Sequence, residues 1–335
     1  MRLRALAATA AAAALLLAGC GGGDSDEPRA PQAASSAKLR AELKGATESR
    51  ASDFPATRGR SLQQVADGLD LSGPQVGMAT SVFSVGDNRL AFGVIDPKSG
   101  FVYGKTAVYV AASPGAKARG PFPAPADLLV TDTAFRSQSA AGEEDVFAAI
   151  YETEIPLTRP GPASILVVTK IGDQLAGAPA KIDVLARGRD RIPRAGQKPP
   201  PLTTDTVRSA NGDIESIDTR VPPDDMHDTA FADVIGKKPV ALLIATPALC
   251  ESRVCGPVVD IAAQMQATYG DRVQFIHQEV FVDNDPNKGL RPPLRSLNLK
   301  TEPWLFVFDR EGRLTERLEG SFGFNAFERA LKSAL

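Results

Sequence analysis

The stretch ATPALCESRVCGP, residues 245–257, decides the fold of this chain, and it contains Cys250 and Cys255. The run before it, PVALLIA at 239–245, is short and apolar, as a buried strand is. The run after it, VVDIAAQM at 258–265, has apolar residues at helical spacing. The cysteines are therefore predicted at a strand-to-helix turn, where the amide groups of a helix start favour a thiolate.

The spacing of the two cysteines constrains the backbone between them. On one regular helix, their Cα atoms would lie about 8–9 Å apart, beyond the roughly 4.4–6.8 Å that a disulfide spans. Proline is favoured in the first turn of a helix, and Pro257 follows Cys255 by two positions. We expect the helix to begin after Cys255 and residues 251–254 to form a looped bulge.

The order of elements around this turn resembles that of a thioredoxin-like domain over residues 229–335. After the helix the sequence predicts a strand at 273–283, a strand at 304–308, a hairpin turn at 310–313, an edge strand at 314–318, Gly320 and a closing helix at 324–335. The resemblance implies that Pro303 is a cis proline facing the cysteine pair. It also implies that Cys250 and Cys255 form a redox-active disulfide.

The resemblance leaves two registers open for the cysteines. In one, Cys250 is the nucleophile and an insertion follows it; in the other, residues 255–258 stand where thioredoxins carry Cys-Gly-Pro-Cys, with the second cysteine lost. The distance from the preceding strand favours Cys250. The implied function is thiol-disulfide exchange, with Cys250 attacking and Cys255 resolving. Whether the protein is such an oxidoreductase or a non-catalytic binding protein with a structural disulfide stays open.

Two positions depart from the thioredoxin pattern. Ile244 occupies the place, six residues before Cys250, where thioredoxins carry a buried carboxylate that shuttles a proton. Glu302 precedes the implied cis proline, and its charge near the cysteines would raise their pKa values and favour the disulfide. The alternative is that Glu302 points into solvent, where screening leaves little effect.

The N-terminus predicts export and lipid attachment. Basic residues at 1–4 precede an apolar run at 5–17 that is too short to span a membrane, as in a secretory signal peptide. Leu-Ala-Gly-Cys at 17–20 resembles the bacterial lipobox, which implies cleavage before Cys20 and a lipid on its side chain. The expected location is the extracytoplasmic face of the cell membrane, where a disulfide persists. The alternative is an ordinary signal peptide with an incidental cysteine.

The remaining segments complete a two-domain fold class, an immunoglobulin-like β-sandwich followed by an α/β thioredoxin-like domain. About seven short apolar runs separated by turn residues predict the sandwich, with a leading helix capped by Ser61. Glu143, Glu144 and Asp145 read as a solvated turn. The predicted divisions are a signal peptide at 1–19, a disordered tether at 20–57, the sandwich at 58–187, a proline-rich linker and extension at 188–228, and the thioredoxin-like domain at 229–335.

Composition narrows the possible partners. The net charge of −2 argues against nucleic acid, no cofactor is expected, and the predicted partners are the membrane and unidentified extracytoplasmic protein thiols. A copper-handling protein is the main alternative, because Cys250, Cys255 and His277 form a ligand set that suits copper. His227 and His277 are the two histidines of the sequence. A purely structural His277 inside a buried strand is the commoner outcome.

Overall fold

The computed structural model describes residues 41–98, 100–141, 147–250 and 253–335. The predicted signal peptide, Cys20, Glu143, Glu144 and Asp145 lie outside the described residues. The described part is mostly β-sheet with few helices. None of its helices is both long and apolar enough to cross a membrane.

Ten strands in the first half of the chain form two five-stranded sheets, which we call the two-sheet unit. They are β1 (Gln75–Met78), β2 (Phe83–Ser84), β3 (Gly86–Asp96), β4 (Gly100–Phe101), β5 (Thr106–Ala111), β6 (Arg119–Pro123), β7 (Ala126–Leu128), β8 (Ala149–Leu157), β9 (Gly161–Ile171) and β10 (Gln174–Leu185). One sheet has the order β1-β3-β8-β7 with β4 paired to β3, and the other has the order β2-β10-β9-β5-β6. Side chains of both sheets share one buried apolar cluster, so the sheets pack face to face. The immunoglobulin-like topology stays a prediction.

Strand β9 is apolar along most of its length because both of its faces are buried. Successive residues of a strand point to opposite faces, and Ile165 and Val167 enter the cluster between the sheets. Leu166 and Val168 instead pack under helix α1 (Leu62–Ala66) on the outer face. Ser61 caps this helix as predicted, accepting a hydrogen bond from the Gln64 amide at 3.2 Å.

The predicted tether needs a correction at its C-terminal end. Residues 41–46 are helical, and Ala51–Asp53 forms a 3-10 turn. Leu43 and Phe54 are buried against the two-sheet unit, in different apolar clusters. The segment has few apolar residues, but these are enough to hold it in place because they pack on apolar surface that the two sheets already provide.

The C-terminal unit, residues 229–335, has a four-stranded sheet with the order β12-β11-β13-β14. Its elements are α2 (Phe231–Val234), β11 (Val240–Ile244), α3 (Cys255–Tyr269), β12 (Gln274–Gln278), α4 (Pro292–Ser296), β13 (Trp304–Phe308), β14 (Leu314–Glu319) and α5 (Phe324–Lys332). Strand β11 is parallel to β12 and antiparallel to β13. Helices α3 and α5 cover one face, and α2 and α4 cover the other. This coverage on both faces explains the unbroken apolar run of β11.

The predicted linker is held along the C-terminal unit rather than standing free. The Gly196 amide donates to the Leu314 carbonyl at 2.7 Å, and the Leu314 amide donates to the Gln197 carbonyl at 2.8 Å. Arg317 pairs with Asp190 at 2.5 Å. The prolines of the linker suggest a free spacer, but its backbone pairs with the edge strand β14 instead.

Arg89 joins the two-sheet unit to the C-terminal unit. Its guanidinium binds Glu152 at 2.8 Å and donates to the carbonyl oxygens of Glu319 and Ser321 at 2.8 and 2.7 Å. Ala91 and Ile150 of the two-sheet unit belong to the same apolar cluster as α3 and α5. The two units thus share buried surface, and their division into two domains stays a prediction.

Candidate functional site

The structure brings Cys250 and Cys255 together at the carboxyl end of β11. Cys250 lies in the loop after this strand and is partly buried, whereas Cys255 is the first residue of α3 and is fully buried. Both are thiols, and their side chains are hydrogen-bonded to each other. The helix begins at Cys255 itself, one residue earlier than predicted, and Pro257 lies in its first turn as expected.

A tight turn accommodates the long spacing between the cysteines. The Arg253 amide donates to the Cys250 carbonyl at 3.2 Å, and Arg253 has a φ of 59°. This left-handed conformation is uncommon for a residue other than glycine. It reverses the chain, so that Cys255 can begin the helix next to Cys250. This hydrogen bond and the left-handed Arg253 supply the chain reversal that the spacing requires, and residues 251 and 252 of the predicted bulge lie outside the described residues.

The Cys255 thiol is held in its protonated form. Burial raises the pKa of the Cys255 thiol well above its ordinary value, and the neighbouring Cys250 side chain and the Glu302 carboxylate raise this pKa further. The Thr246 amide, which donates to the sulfur, offsets part of the effect. Cys250 is the more exposed of the two and can therefore react first with a substrate. The buried, protonated Cys255 is placed to resolve the mixed disulfide that results.

Pro303 lies beside the cysteine loop. The Glu302–Pro303 peptide bond is cis, as the resemblance implied. Trp304 directly after it pairs with Ile244, the last residue of β11, so the proline sits where the cysteine loop leaves the sheet. Trp304 itself is a core residue. Glu302 lies close enough for its charge to act on Cys255.

A pocket of about 390 Å³ opens next to this site, between the two units. Val254, Glu302 and Ser321 line it from the C-terminal unit, and Met78 and Phe101 line it from the two-sheet unit. The pocket therefore places both apolar and charged side chains beside the cysteine loop.

A second polar cluster is buried below the cysteine loop. It contains Asp218, Asp224, His227 and His277, whose potential ligand atoms lie within 4.8 Å of one another. The His277 Nδ1 and Asp224 Oδ2 atoms are 2.8 Å apart. Burial disfavours the charged imidazole, but the Asp224 carboxylate outweighs it and raises the pKa of His277 to about 10.

The structure does not support Cys250, Cys255 and His277 as one metal-ligand set, which was the predicted alternative. Among the described residues, geometry groups His277 with His227 and two aspartates rather than with the cysteines. The His277 Nε2 atom faces the Ala245 carbonyl at 3.2 Å. His227 lies in an aspartate-rich segment at 218–228, which is a sequence signal for a metal-binding or charge-pairing cluster, whereas its grouping with His277 follows only from the fold.

No family model matches the sequence, and no curated protein matches it either. Among solved structures, the chain is similar to a putative thiol:disulfide interchange protein DsbE from Chlorobium tepidum, with 17% identity and a TM-score of 0.30, over 42% of this chain and 98% of that one. It is also similar to a thioredoxin-family thiol:disulfide interchange protein from Chlorobium tepidum TLS, with 18% identity and a TM-score of 0.28, over 42% and 97% of the two chains.

A third similar structure is a thioredoxin-like superfamily protein with 14% identity and a TM-score of 0.26, which covers 32% of this chain and 85% of its own. The likeness to thioredoxin-like proteins therefore concerns a minority of the chain. At these identities and TM-scores the likeness says nothing about the reaction.

Proposed function

We propose that this protein is a membrane-anchored, extracytoplasmic thiol-disulfide exchange protein that acts through Cys250 and Cys255. The observation that carries the proposal is the contact between a partly exposed Cys250 and a fully buried Cys255 beside the cis proline Pro303. A purely structural disulfide would need neither the difference in exposure nor the adjoining pocket. The difference matches the division of labour between an attacking and a resolving thiol.

The exchange with a substrate disulfide has two balanced steps. The Cys250 thiolate attacks one substrate sulfur, the substrate S–S bond breaks, and a mixed disulfide forms. The expelled substrate thiolate takes up a proton, equivalent to the one that Cys250 gave up on ionising, and becomes the first substrate thiol. The Cys255 thiol then loses its proton to the departing substrate sulfur and attacks Cys250, which releases the second substrate thiol. Two electrons pass from the cysteine pair to the substrate, and the pair becomes a disulfide. Run in reverse from the disulfide, the same steps oxidise two substrate thiols and leave Cys250 and Cys255 as thiols.

The surroundings of the pair favour the oxidised form at rest. Paired thiols persist as disulfides in an oxidising compartment. The Glu302 carboxylate also disfavours the Cys255 thiolate, which is the form through which the reduced pair would react further. The pair therefore rests oxidised. An extracytoplasmic protein with thiols or a mispaired disulfide is the proposed substrate class.

Trapping in the bacterium tests the exchange function. A Cys255→Ser variant lacks the resolving thiol, so we expect it to accumulate mixed disulfides through Cys250 on a non-reducing gel. Cys250→Ser is the matched control, because it keeps one cysteine of the pair but removes the exposed one. If neither variant forms mixed disulfides, the pair is a structural staple and the proposal is wrong.

The membrane address is proposed from the sequence around Cys20 and is tested separately. The Leu-Ala-Gly-Cys sequence at 17–20 supports cleavage and lipidation at this cysteine. A Cys20→Ala variant of the full chain is expected to lack the lipid, so that the protein is no longer recovered in the membrane fraction. Labelling of the wild-type chain with an alkyne fatty acid gives the positive result, and a label that persists in Cys20→Ala overturns the assignment.

A further inference from the structure

The two histidines of the chain meet in a buried pocket that the exchange reaction does not use. His277 comes from β12, whereas Asp218, Asp224 and His227 come from the segment before the C-terminal unit. The four side chains are at most 1% exposed. Buried ionisable groups in proteins are paired with one another or coordinate metals. The four side chains of this cluster are close enough for either arrangement.

The distances between imidazole nitrogens and carboxylate oxygens in the cluster bracket those of a tetrahedral metal site. The His227 Nε2 atom lies 3.5 Å from Asp218 Oδ2 and 3.4 Å from Asp224 Oδ1. The His277 Nδ1 atom lies 3.8 Å from Asp218 Oδ1 and 2.8 Å from Asp224 Oδ2. Ligands at about 2.0–2.1 Å from a tetrahedral zinc ion are separated by about 3.3 Å. Each imidazole faces a different oxygen of each aspartate, and one ligand atom from each of the four residues lies within 4.8 Å of the others. A small inward movement of the ligands would therefore give such a site.

Neighbouring groups orient the ligands. His277 Nε2 faces the Ala245 carbonyl at 3.2 Å, and an N–H donated there leaves the Nδ1 lone pair directed at the carboxylates. Backbone amides fix both aspartates: those of Arg220 and Asp224 donate to Asp218, both at 2.8 Å. The Met226 amide donates to Asp224 at 2.9 Å.

His227 provides the independent sign that a ligand is needed. It is 1% exposed, yet neither of its ring nitrogens has a hydrogen-bond partner among the described residues. A buried polar group without a partner costs about 1–3 kcal/mol. Its Nε2 atom is nearest to the two carboxylates but lies outside hydrogen-bonding geometry. A cation placed between them satisfies this nitrogen and neutralises both carboxylates.

We propose that Asp218, Asp224, His227 and His277 bind a divalent transition-metal cation, best represented by Zn²⁺, that fastens residues 218–228 to β12. Two imidazoles and two carboxylates suit zinc. The four protein ligands close the site, and closed zinc sites are structural. Binding displaces the proton that His277 otherwise carries beside Asp224. The inference is independent of the thiol exchange.

Metal titration of the full chain tests this site. Cys250→Ser and Cys255→Ser are introduced together so that no thiolate of the pair competes, and a purification tag without histidine is used. After treatment with a chelator, we expect near-stoichiometric uptake of Zn²⁺ in calorimetry and a thermal midpoint that rises with the zinc concentration. Co²⁺ should give the intense visible bands of tetrahedral coordination, without sulfur charge-transfer bands.

Variants locate the site. Because changes in groups that only support a ligand already cost about 10–100-fold in affinity, His227→Gln is expected to lose more than about 100-fold. Asp225→Asn is the matched control, since Asp225 is an exposed neighbour outside the cluster. Equal zinc affinity in His227→Gln overturns the proposal. So does a cysteine-free protein without tetrahedral Co²⁺ bands, a result that does not depend on how any ligand variant folds.

Discussion

Gly256, the second residue of α3, lies directly against Ser139 of the two-sheet unit. A Cβ atom on Gly256 would be 2.5 Å from both the Cβ and the carbonyl oxygen of Ser139. Just before Ser139 in the chain, the Gln138 amide donates to the Val221 carbonyl at 2.9 Å, and the Ser137 amide donates to Asp260 at 3.1 Å. Residues 137–139 therefore cover the first turn of α3, next to the buried Cys255.

Gly256→Ala tests whether this contact shields the resolving thiol. The new methyl group meets backbone atoms of Ser139, which cannot yield as a flexible side chain does, so the covering loop must move. We expect a loss of about 1–3 kcal/mol in the free energy of unfolding. We also expect faster alkylation of Cys255, measured by mass spectrometry on the reduced native protein.

Gly115→Ala is the control for this substitution, because a Cβ there meets nothing within 4 Å. Its Cys255 alkylation rate should equal that of the wild type. If Gly256→Ala behaves in the same way, the loop does not govern access to Cys255.

Asp260→Asn tests the buried ion pair that supports the same loop. The Asp260 Oδ1 atom is 2.9 Å from Arg220 Nε, and the two side chains are 1% and 6% exposed. Removing one charge leaves the guanidinium buried without its counterion, which costs about 3–5 kcal/mol. Urea denaturation measures the loss.

The exposed pair of Asp283 and Lys288 provides the comparison for the buried one. Its atoms are 3.0 Å apart, and the side chains are 69% and 52% exposed. Asp283→Asn is expected to change the free energy of unfolding by less than about 1 kcal/mol. A loss in Asp260→Asn as small as this would contradict a stabilising role for the buried pair.

The elements of the C-terminal unit could be predicted from the sequence because its apolar runs are separated by turn residues. The strand ending at Ile244, the helix after the cysteines and the strand after Pro303 are all present. The left-handed Arg253 could not be predicted, since an arginine carries no turn signal. Its conformation follows from the packing of Cys255 next to Cys250.

The parts that escaped prediction depend on contacts between distant segments. Phe54 looks isolated in a polar segment, and only the neighbouring sheet gives it a surface to cover. Residues 190–197 look like a spacer until the edge of β14 offers its backbone groups. His227 and His277 are far apart in sequence, and only the path of residues 218–228 brings them together. Periodicity carries no information about such pairings.

Glu152→Gln tests the acid stability of the contact between the units. Burial alone would raise the pKa of Glu152, but the charges of Arg89 and Arg329 outweigh it and hold this pKa below its ordinary value of 4.5. A lowered folded-state pKa adds stability that is present above the unfolded-state pKa and is lost as the pH falls through the folded-state pKa. The wild type should therefore lose stability below about pH 4.5.

The glutamine variant should be less stable than the wild type at pH 7 by more than about 1 kcal/mol, with a shallower decline in acid. Glu154→Gln, an exposed neighbour on the same strand, should keep the wild-type profile. Urea denaturation between pH 3 and pH 7 distinguishes them. Parallel profiles for wild type and Glu152→Gln would show that Glu152 does not contribute to the acid dependence.

Glu302→Gln tests how the residue before the cis proline controls the cysteine pair. The Glu302 charge adds to burial and to Cys250 in raising the pKa of Cys255. Removing this charge should lower the pKa of Cys255, so that a larger fraction is thiolate at any pH below that pKa. In a Cys250→Ser background, where Cys255 alone of the pair reports, its alkylation should therefore become faster, and the pH profile of the rate should shift to lower pH.

The shift should persist at high salt, since a charge beside a buried thiol is screened less than one at the surface. Glu311→Gln is the control, because Glu311 is exposed in the hairpin between β13 and β14. Its profile should match that of the Cys250→Ser background. Because the effect comes through the charge, Glu302→Asp should leave the pH profile of Cys255 alkylation as it is with Glu302 in place. If Glu302→Gln leaves the profile where it was, burial and Cys250 alone hold Cys255 protonated, and the preference for the oxidised pair needs another cause.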